Sequence, residues 1–235
     1  MLFRSRSGQT FGLAVSWSFS LSTAAGLAAL ALMTNLDALF VKLFYSPQVA
    51  GDYGPVVILA RVSLFVPWAI GLVLLPKVTQ HRANGSDARP ILVLALAAAL
   101  GPGLALTALY FLAPRTLVSL IFTKAYADPG VLLGLAGLAA TLYGGINIWL
   151  NYAISLKRYS FIFVLLGVLI LQAVGMYAVG RQNLVHMALT MVLAGLFGNL
   201  AGLASAWSPS TLGLRTGRSL MVCRAGLADG AAKKA

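Results

Sequence analysis

Long apolar stretches separated by short polar segments dominate the hydropathy pattern of this chain. Six stretches reach the roughly 20 mainly apolar residues that an α-helix needs to cross a bilayer. The clusters of Gly, Pro, Asn, Ser and Asp between them are typical of segments that end a helix. The pattern therefore predicts an all-α, polytopic transmembrane bundle. The predicted spans are 13–36 (or 13–43 if the first helix continues), 53–75, 91–112, 131–154, 161–179 and 184–207.

Composition supports a bilayer rather than water as the solvent of this fold. Hydrophobic residues make up 60% of the chain and charged residues 9%, against about 45–50% and about 25% in soluble domains. Too few charged side chains are available to cover a soluble domain of this length. We expect residues 1–207 to form one helical lobe, and residues 208–235, which are polar and basic, to form a disordered cytoplasmic tail.

The charge balance predicts topology rather than a nucleic-acid partner. The chain has 17 Lys and Arg against 5 acidic residues. Twelve of those 17 basic residues fall on the side of the N-terminus and four on the other side, with Arg61 left inside the second span. Basic residues collect on the cytoplasmic side of membrane proteins, so both termini are predicted to be cytoplasmic. No basic cluster is interleaved with aromatic residues as nucleic-acid binding would require.

Two ionisable residues, Arg61 and Asp37, fall within or near the predicted spans. A charge at the bilayer centre costs roughly 2.5–3.5 kcal/mol on insertion scales, so such residues tend to be paired or to face water. One interpretation is an Arg61–Asp37 ion pair that fixes helix packing. Another is that Arg61 lines a water-filled cavity that receives an anionic substrate. In a third, Asp37 lies at the membrane interface and has no special role.

A row of polar residues marks the fourth predicted span. Tyr143, Asn147 and Asn151 recur at helical spacing and share one helix face. They are predicted either to form interhelical hydrogen bonds or to be the polar wall of a transport cavity. Gln172 in the fifth span admits the same two interpretations.

Small residues and prolines inside the spans predict close helix contacts and bends. Gly198 and Gly202 have the four-residue spacing that lets two membrane helices approach closely. Pro67 and Pro102 predict kinks, because proline removes a backbone hydrogen bond from the helix.

The sequence has no pattern that indicates an enzyme. It has no phosphate-binding glycine loop ending in Lys-Ser or Lys-Thr, and no His, Cys or Glu cluster with metal-ligand spacing. No pair of carboxylates presents itself for acid–base catalysis. The one cysteine, Cys223, excludes an internal disulfide. We therefore expect no enzymatic activity, no catalytic residue, no metal and no cofactor.

Residues 35–80 resemble a known transporter family. The stretch reads Asn-Leu-Asp-Ala-Leu-Phe-Val-Lys, then Ala-Gly-Asp-Tyr, then Ala-Arg, and then Val-Pro-Trp-Ala-Ile-Gly-Leu-Val-Leu-Leu-Pro-Lys-Val. This order resembles the polysaccharide-biosynthesis exporters of the MOP flippase superfamily, the Wzx-type oligosaccharide flippases. Residues 113–126 also look like the family pattern. The resemblance covers roughly residues 30–160 and fits the second, C-terminal lobe of the family best.

The resemblance implies a helical lobe that faces a partner lobe across a central cationic cavity. It implies transport of an anionic lipid-linked oligosaccharide across the bacterial inner (plasma) membrane, without covalent chemistry. Arg61 falls where relatives carry a cavity arginine, and Asn35 and Asp37 match an Asn-x-Asp pattern at the end of a helix. The candidate substrate-binding or cavity-lining residues are Arg61, Asp37, Asn35, Tyr143, Asn147 and Asn151.

Family members have about 12 to 14 spans in two lobes that move against each other, whereas six spans are predicted here. The chain is expected to be the C-terminal half of a split or truncated gene product, to pair with a separately encoded first lobe, or to associate with a second copy of itself. Its expected partners also include membrane lipid and the lipid-linked oligosaccharide. The alternative function is a non-transporting scaffold or assembly subunit of envelope polysaccharide synthesis.

Overall fold

The computed structural model describes residues 17–84, 87, 89–122, 126, 128–156 and 160–207. The predicted beginning of the first span at 13–16 and the predicted disordered tail at 208–235 lie outside these residues. The described part forms eight α-helices. In chain order they are α1 (Trp17–Met33), α2 (Leu36–Phe44), α3 (Pro47–Ala83), α4 (Arg89–Leu112), α5 (Pro114–Ile121), α6 (Val131–Ser155), α7 (Ser160–Ala178) and α8 (Leu184–Trp207).

Within the described residues, five helices are long and apolar enough to cross a membrane: α3, α4, α6, α7 and α8. The pair α1 and α2 also passes this test when taken together, with a bend of 45° between the two helices. Counted as one broken span, the pair gives a sixth crossing. The predicted fold class, an all-α polytopic transmembrane bundle, is confirmed.

Helix α6 lies at the centre of the bundle. In its most apolar window 78% of the residues are buried inside the protein, whereas the other spanning helices bury 28–44%. It packs against α3, α4 and α8. Glycines let these neighbours approach: a Cβ on Gly137 would stand 2.4 Å from the ring of Tyr110, and one on Gly144 would stand 2.5 Å from the ring of Pro67. Small residues at helix contacts are a general feature of membrane bundles.

The structure changes the predicted limits of the first two spans. The first is a broken helix, because residues 34 and 35 interrupt it between α1 and α2. The second is a helix of 37 residues rather than the predicted 53–75. At about 1.5 Å per residue it is roughly 55 Å long, which exceeds a hydrocarbon core of about 30 Å. Helix α3 therefore extends beyond the core.

Candidate cavity site

The break between α1 and α2 is the structural origin of the candidate site. A helix end inside a membrane needs partners for its last carbonyl groups, since lipid offers none. The side chains of Thr34 and Asn35 donate hydrogen bonds of 3.0 and 2.7 Å to the carbonyl oxygen of Ala31. Gln172 of α7 donates one of 3.0 Å to the carbonyl oxygen of Met33. The break is thus stabilised by local side chains and by a neighbouring helix.

Asp37 lies in the first turn of α2, directly after the break, and is 5% exposed. A carboxylate in this position is favoured by the helix dipole. The hydroxyl of Tyr53 on α3 donates a 3.0 Å hydrogen bond to its Oδ2. Among the described residues its other oxygen, Oδ1, has no hydrogen-bond partner. Asp37 is therefore buried inside the helix bundle.

Arg61 stands on an exposed position of α3. It is about 14 Å along the helix from Asp52 and about 24 Å from Lys77, inside a helix that is long and apolar enough to cross a membrane. Its Nη2 donates a 2.7 Å hydrogen bond to Oδ1 of Asn35 at the helix break. A guanidinium has five N–H donors, so this contact uses only a small part of its hydrogen-bonding capacity.

The Arg61–Asp37 ion pair, one of the interpretations of the sequence, is not formed within the described residues, where each of the two side chains has a different hydrogen-bond partner. Asp37 accepts its hydrogen bond from Tyr53, and Arg61 donates to Asn35. Both nevertheless line the same small cavity of about 20 Å³. Arg61 is the one cation among the described residues that line it. We call this space the Arg61 cavity.

Tyr143 of α6 lines the Arg61 cavity as well and is only 1% exposed. In the described part of the chain its hydroxyl has no hydrogen-bond partner. The Arg61 cavity is therefore polar where three elements meet: Asp37 from α2, Arg61 from α3 and Tyr143 from α6. A volume of this size has room for about one water molecule.

Asn147 and Asn151 line a different and larger space. An open groove of about 320 Å³ runs between α1 and α3 over α6, and both asparagines contribute to its lining. Asn147 is 6% exposed and donates a 3.2 Å hydrogen bond to the carbonyl oxygen of Pro67. Asn151 is half-buried and donates to the backbone and side-chain oxygens of Asn147. We call this space the Asn151 groove.

The six predicted site residues therefore fall into two neighbouring groups rather than one. Thr34, at the helix break, lines both the Arg61 cavity and the Asn151 groove. Tyr143 belongs to the cavity only, although it shares a helix face with Asn147 and Asn151. Asn35 joins the cavity group through its hydrogen bond to Arg61.

Sequence reasoning did not single out Tyr53 or Thr34. A usable pattern was present for Tyr53, because α2 and α3 are consecutive helices joined by residues 45 and 46, and a chain that turns back at such a short link makes its two helices neighbours. Asp37 stands eight residues before this turn and Tyr53 seven residues after it, so the two fall at the same depth. Nothing comparable marks Thr34, whose role depends on where the helix breaks.

An aromatic cluster holds the far end of α2. The guanidinium carbon of Arg181 lies 4.8 Å from the ring centre of Phe44 and 5.1 Å from that of Tyr177, within cation–π range. The Tyr45 hydroxyl donates to the carbonyl oxygen of Gly180. Helix α2 is thus anchored at both ends, by Asp37 near the break and by these contacts near the turn.

Searches of protein-family models, of curated proteins and of solved structures found no match to this chain.

Proposed function

We propose that this chain is the C-terminal lobe of a flippase-type transporter that moves an anionic lipid-linked oligosaccharide across the membrane. The observation that carries this proposal is the exposed Arg61 on a helix that is long and apolar enough to cross a membrane. An arginine facing acyl chains is costly, so its face of the bundle borders water or a partner instead. A water-filled, cationic face is what an anionic substrate requires.

The proposed mechanism is electrostatic capture without covalent chemistry. Asn35 holds the guanidinium of Arg61 through a single hydrogen bond, which leaves other N–H donors for the oxygens of a diphosphate headgroup. The amide nitrogens of Asn147 and Asn151 in the neighbouring Asn151 groove donate to oxygens within the protein, so the proposal assigns the headgroup to Arg61. No catalytic residue, metal or cofactor takes part in this mechanism.

A groove on one lobe supplies only part of a binding site. Alternating access moves one repeat against another around a site between them. The proposed partner is a separately encoded first lobe or a second copy of this chain. The asymmetry of the basic residues supports an orientation with both termini in the cytoplasm, and the family resemblance favours the bacterial inner membrane.

Complementation tests this proposal. The chain is expressed, alone and together with a candidate first lobe, in cells that lack an oligosaccharide flippase, and surface polysaccharide is measured. Arg61→Ala is expected to abolish rescue, and Arg61→Lys to retain part of it because the charge remains. Arg115→Ala, a change outside the cavity at the start of α5, is the matched control and should leave rescue intact. Full rescue by Arg61→Ala would exclude the proposed role of this residue.

A second candidate, a non-transporting membrane scaffold, is favoured by one specific observation. Asn147 uses its amide to bond the backbone of Pro67, and Gln172 does the same with Met33. Polar side chains used in this way stabilise helix packing rather than a water-filled path. The two functions differ in whether the Asn151 groove is wet, which cysteine labelling measures.

A further inference from the structure

A third cavity lies between α3 and α4, away from the proposed transport site. It is an open groove of about 410 Å³. Alanines on both helices, Ala69, Ala95 and Ala98, leave the space between larger neighbours. None of its lining residues contributes to the Arg61 cavity or to the Asn151 groove. We call it the Lys77 groove, after the one charged residue among the described residues that line it.

The position of the Lys77 groove indicates an apolar occupant. Val73 and Leu94, which line it, are 54% and 70% exposed, so the groove opens on the outer surface of two membrane helices. If the groove stayed empty, the apolar side chains that line it would have no atoms to contact on that side. On the outer surface of a membrane-spanning helix, the apolar groups available to fill the groove are the acyl chains of the bilayer lipids.

The charge at one end of the groove indicates an anionic headgroup. Lys77 is exposed, and in the described part of the chain it has no carboxylate partner. Near the ends of spanning helices a lysine places its stem along apolar surface and its ammonium among the headgroups. Arg89 begins α4 at the same end. The carboxylate near these two cations is that of Asp87. Its side chain accepts a hydrogen bond from the backbone amide of Arg89.

We propose that the Lys77 groove binds one anionic phospholipid, with an acyl chain between α3 and α4 and its phosphate on Lys77. The shape and the charge argue for the same ligand: the walls are apolar over their length and the cation stands at one end. This inference depends on the membrane-embedded fold and not on the proposed transport.

Native mass spectrometry of the full chain, purified in detergent, tests this lipid site. The chain is titrated with phosphatidylglycerol and with phosphatidylcholine that carry identical acyl chains. The wild type is expected to bind phosphatidylglycerol more tightly. Lys77→Gln should weaken phosphatidylglycerol binding about fivefold, as one basic residue at an anionic surface contributes, and leave phosphatidylcholine unchanged. Lys42→Gln, a lysine on α2 remote from the groove, is the matched control and should behave as wild type.

Filling the groove separates the acyl-chain contact from the charge. Ala98→Phe should weaken binding of both lipids, and Ala98→Val serves the same purpose if the larger change prevents a monodisperse preparation. Arg61→Ala should bind phosphatidylglycerol as the wild type does, even if it abolishes transport. Equal binding of the two lipids by the wild type, or an unchanged preference in Lys77→Gln, would overturn the proposal. So would displacement of phosphatidylglycerol by equimolar polyprenyl phosphate, since the groove would then be a substrate-tail site.

Discussion

Substituting Gly202 with alanine probes a close contact between α8 and the central helix. A Cβ on Gly202 would stand 2.4 Å from Cγ of Trp149, while one on Gly198 would stand 2.4 Å from Cδ1 of Ile146. Carbon atoms in contact prefer about 3.5–4.0 Å, so the added methyl group overlaps the indole by more than 1 Å. Trp149 is 4% exposed and has little room to turn away. Gly202→Ala should therefore destabilise the protein by about 1–3 kcal/mol, the usual cost of overpacking.

The measurement is the unfolding free energy in detergent micelles, followed by circular dichroism. Gly167→Ala on α7 is the matched control, because a Cβ there meets nothing within 4 Å. The control should be neutral or slightly stabilising, since alanine is a better helix former than glycine by about 0.5–1 kcal/mol. Combining Gly202→Ala with Trp149→Leu should recover part of the loss, because the two residues share one contact. Equal stability of Gly202→Ala and Gly167→Ala would refute the idea that close approach limits packing here.

Two further predictions concern the candidate site. Tyr53→Phe should lower the unfolding free energy by about 1.5–3 kcal/mol, because it removes a hydrogen bond to the buried carboxylate of Asp37; unchanged stability would show that this bond does not contribute. If the Asn151 groove is wet, Asn151→Cys in a Cys223→Ser background should react with a water-soluble maleimide, whereas Tyr143→Cys, at a position that is 1% exposed, should not. Protection of both cysteines would favour the scaffold over the transporter.

The sequence by itself determined the architecture in its broad form. A bilayer requires about 20 apolar residues for every crossing and satisfied backbone bonds throughout, so hydropathy alone is enough to predict an all-helical fold. Arg61 could also be selected from the sequence, because an ionisable residue inside an apolar stretch is rare and costly. The same reasoning selected Asp37, although it left open whether that residue is buried.

The tertiary structure decided which side chains meet. Asp37 bonds Tyr53 and Arg61 bonds Asn35, although pairing by charge alone favours an Asp37–Arg61 bridge. Helical spacing places Tyr143 on one face of α6 with Asn147 and Asn151. In the structure, Tyr143 lines the small Arg61 cavity and the two asparagines line the open Asn151 groove, and the helix break between α1 and α2 borders both spaces.

The physical reason is the range of the forces involved. Hydropathy and helix periodicity act along the chain and can be read from neighbouring residues. Hydrogen bonds act over about 3 Å, so their partners depend on how separate helices pack. The bond between Gln172 and Met33, across 139 positions of sequence, stabilises a helix break that hydropathy alone does not mark. The break therefore depends on a bond between separate helices as well as on the local bonds of Thr34 and Asn35.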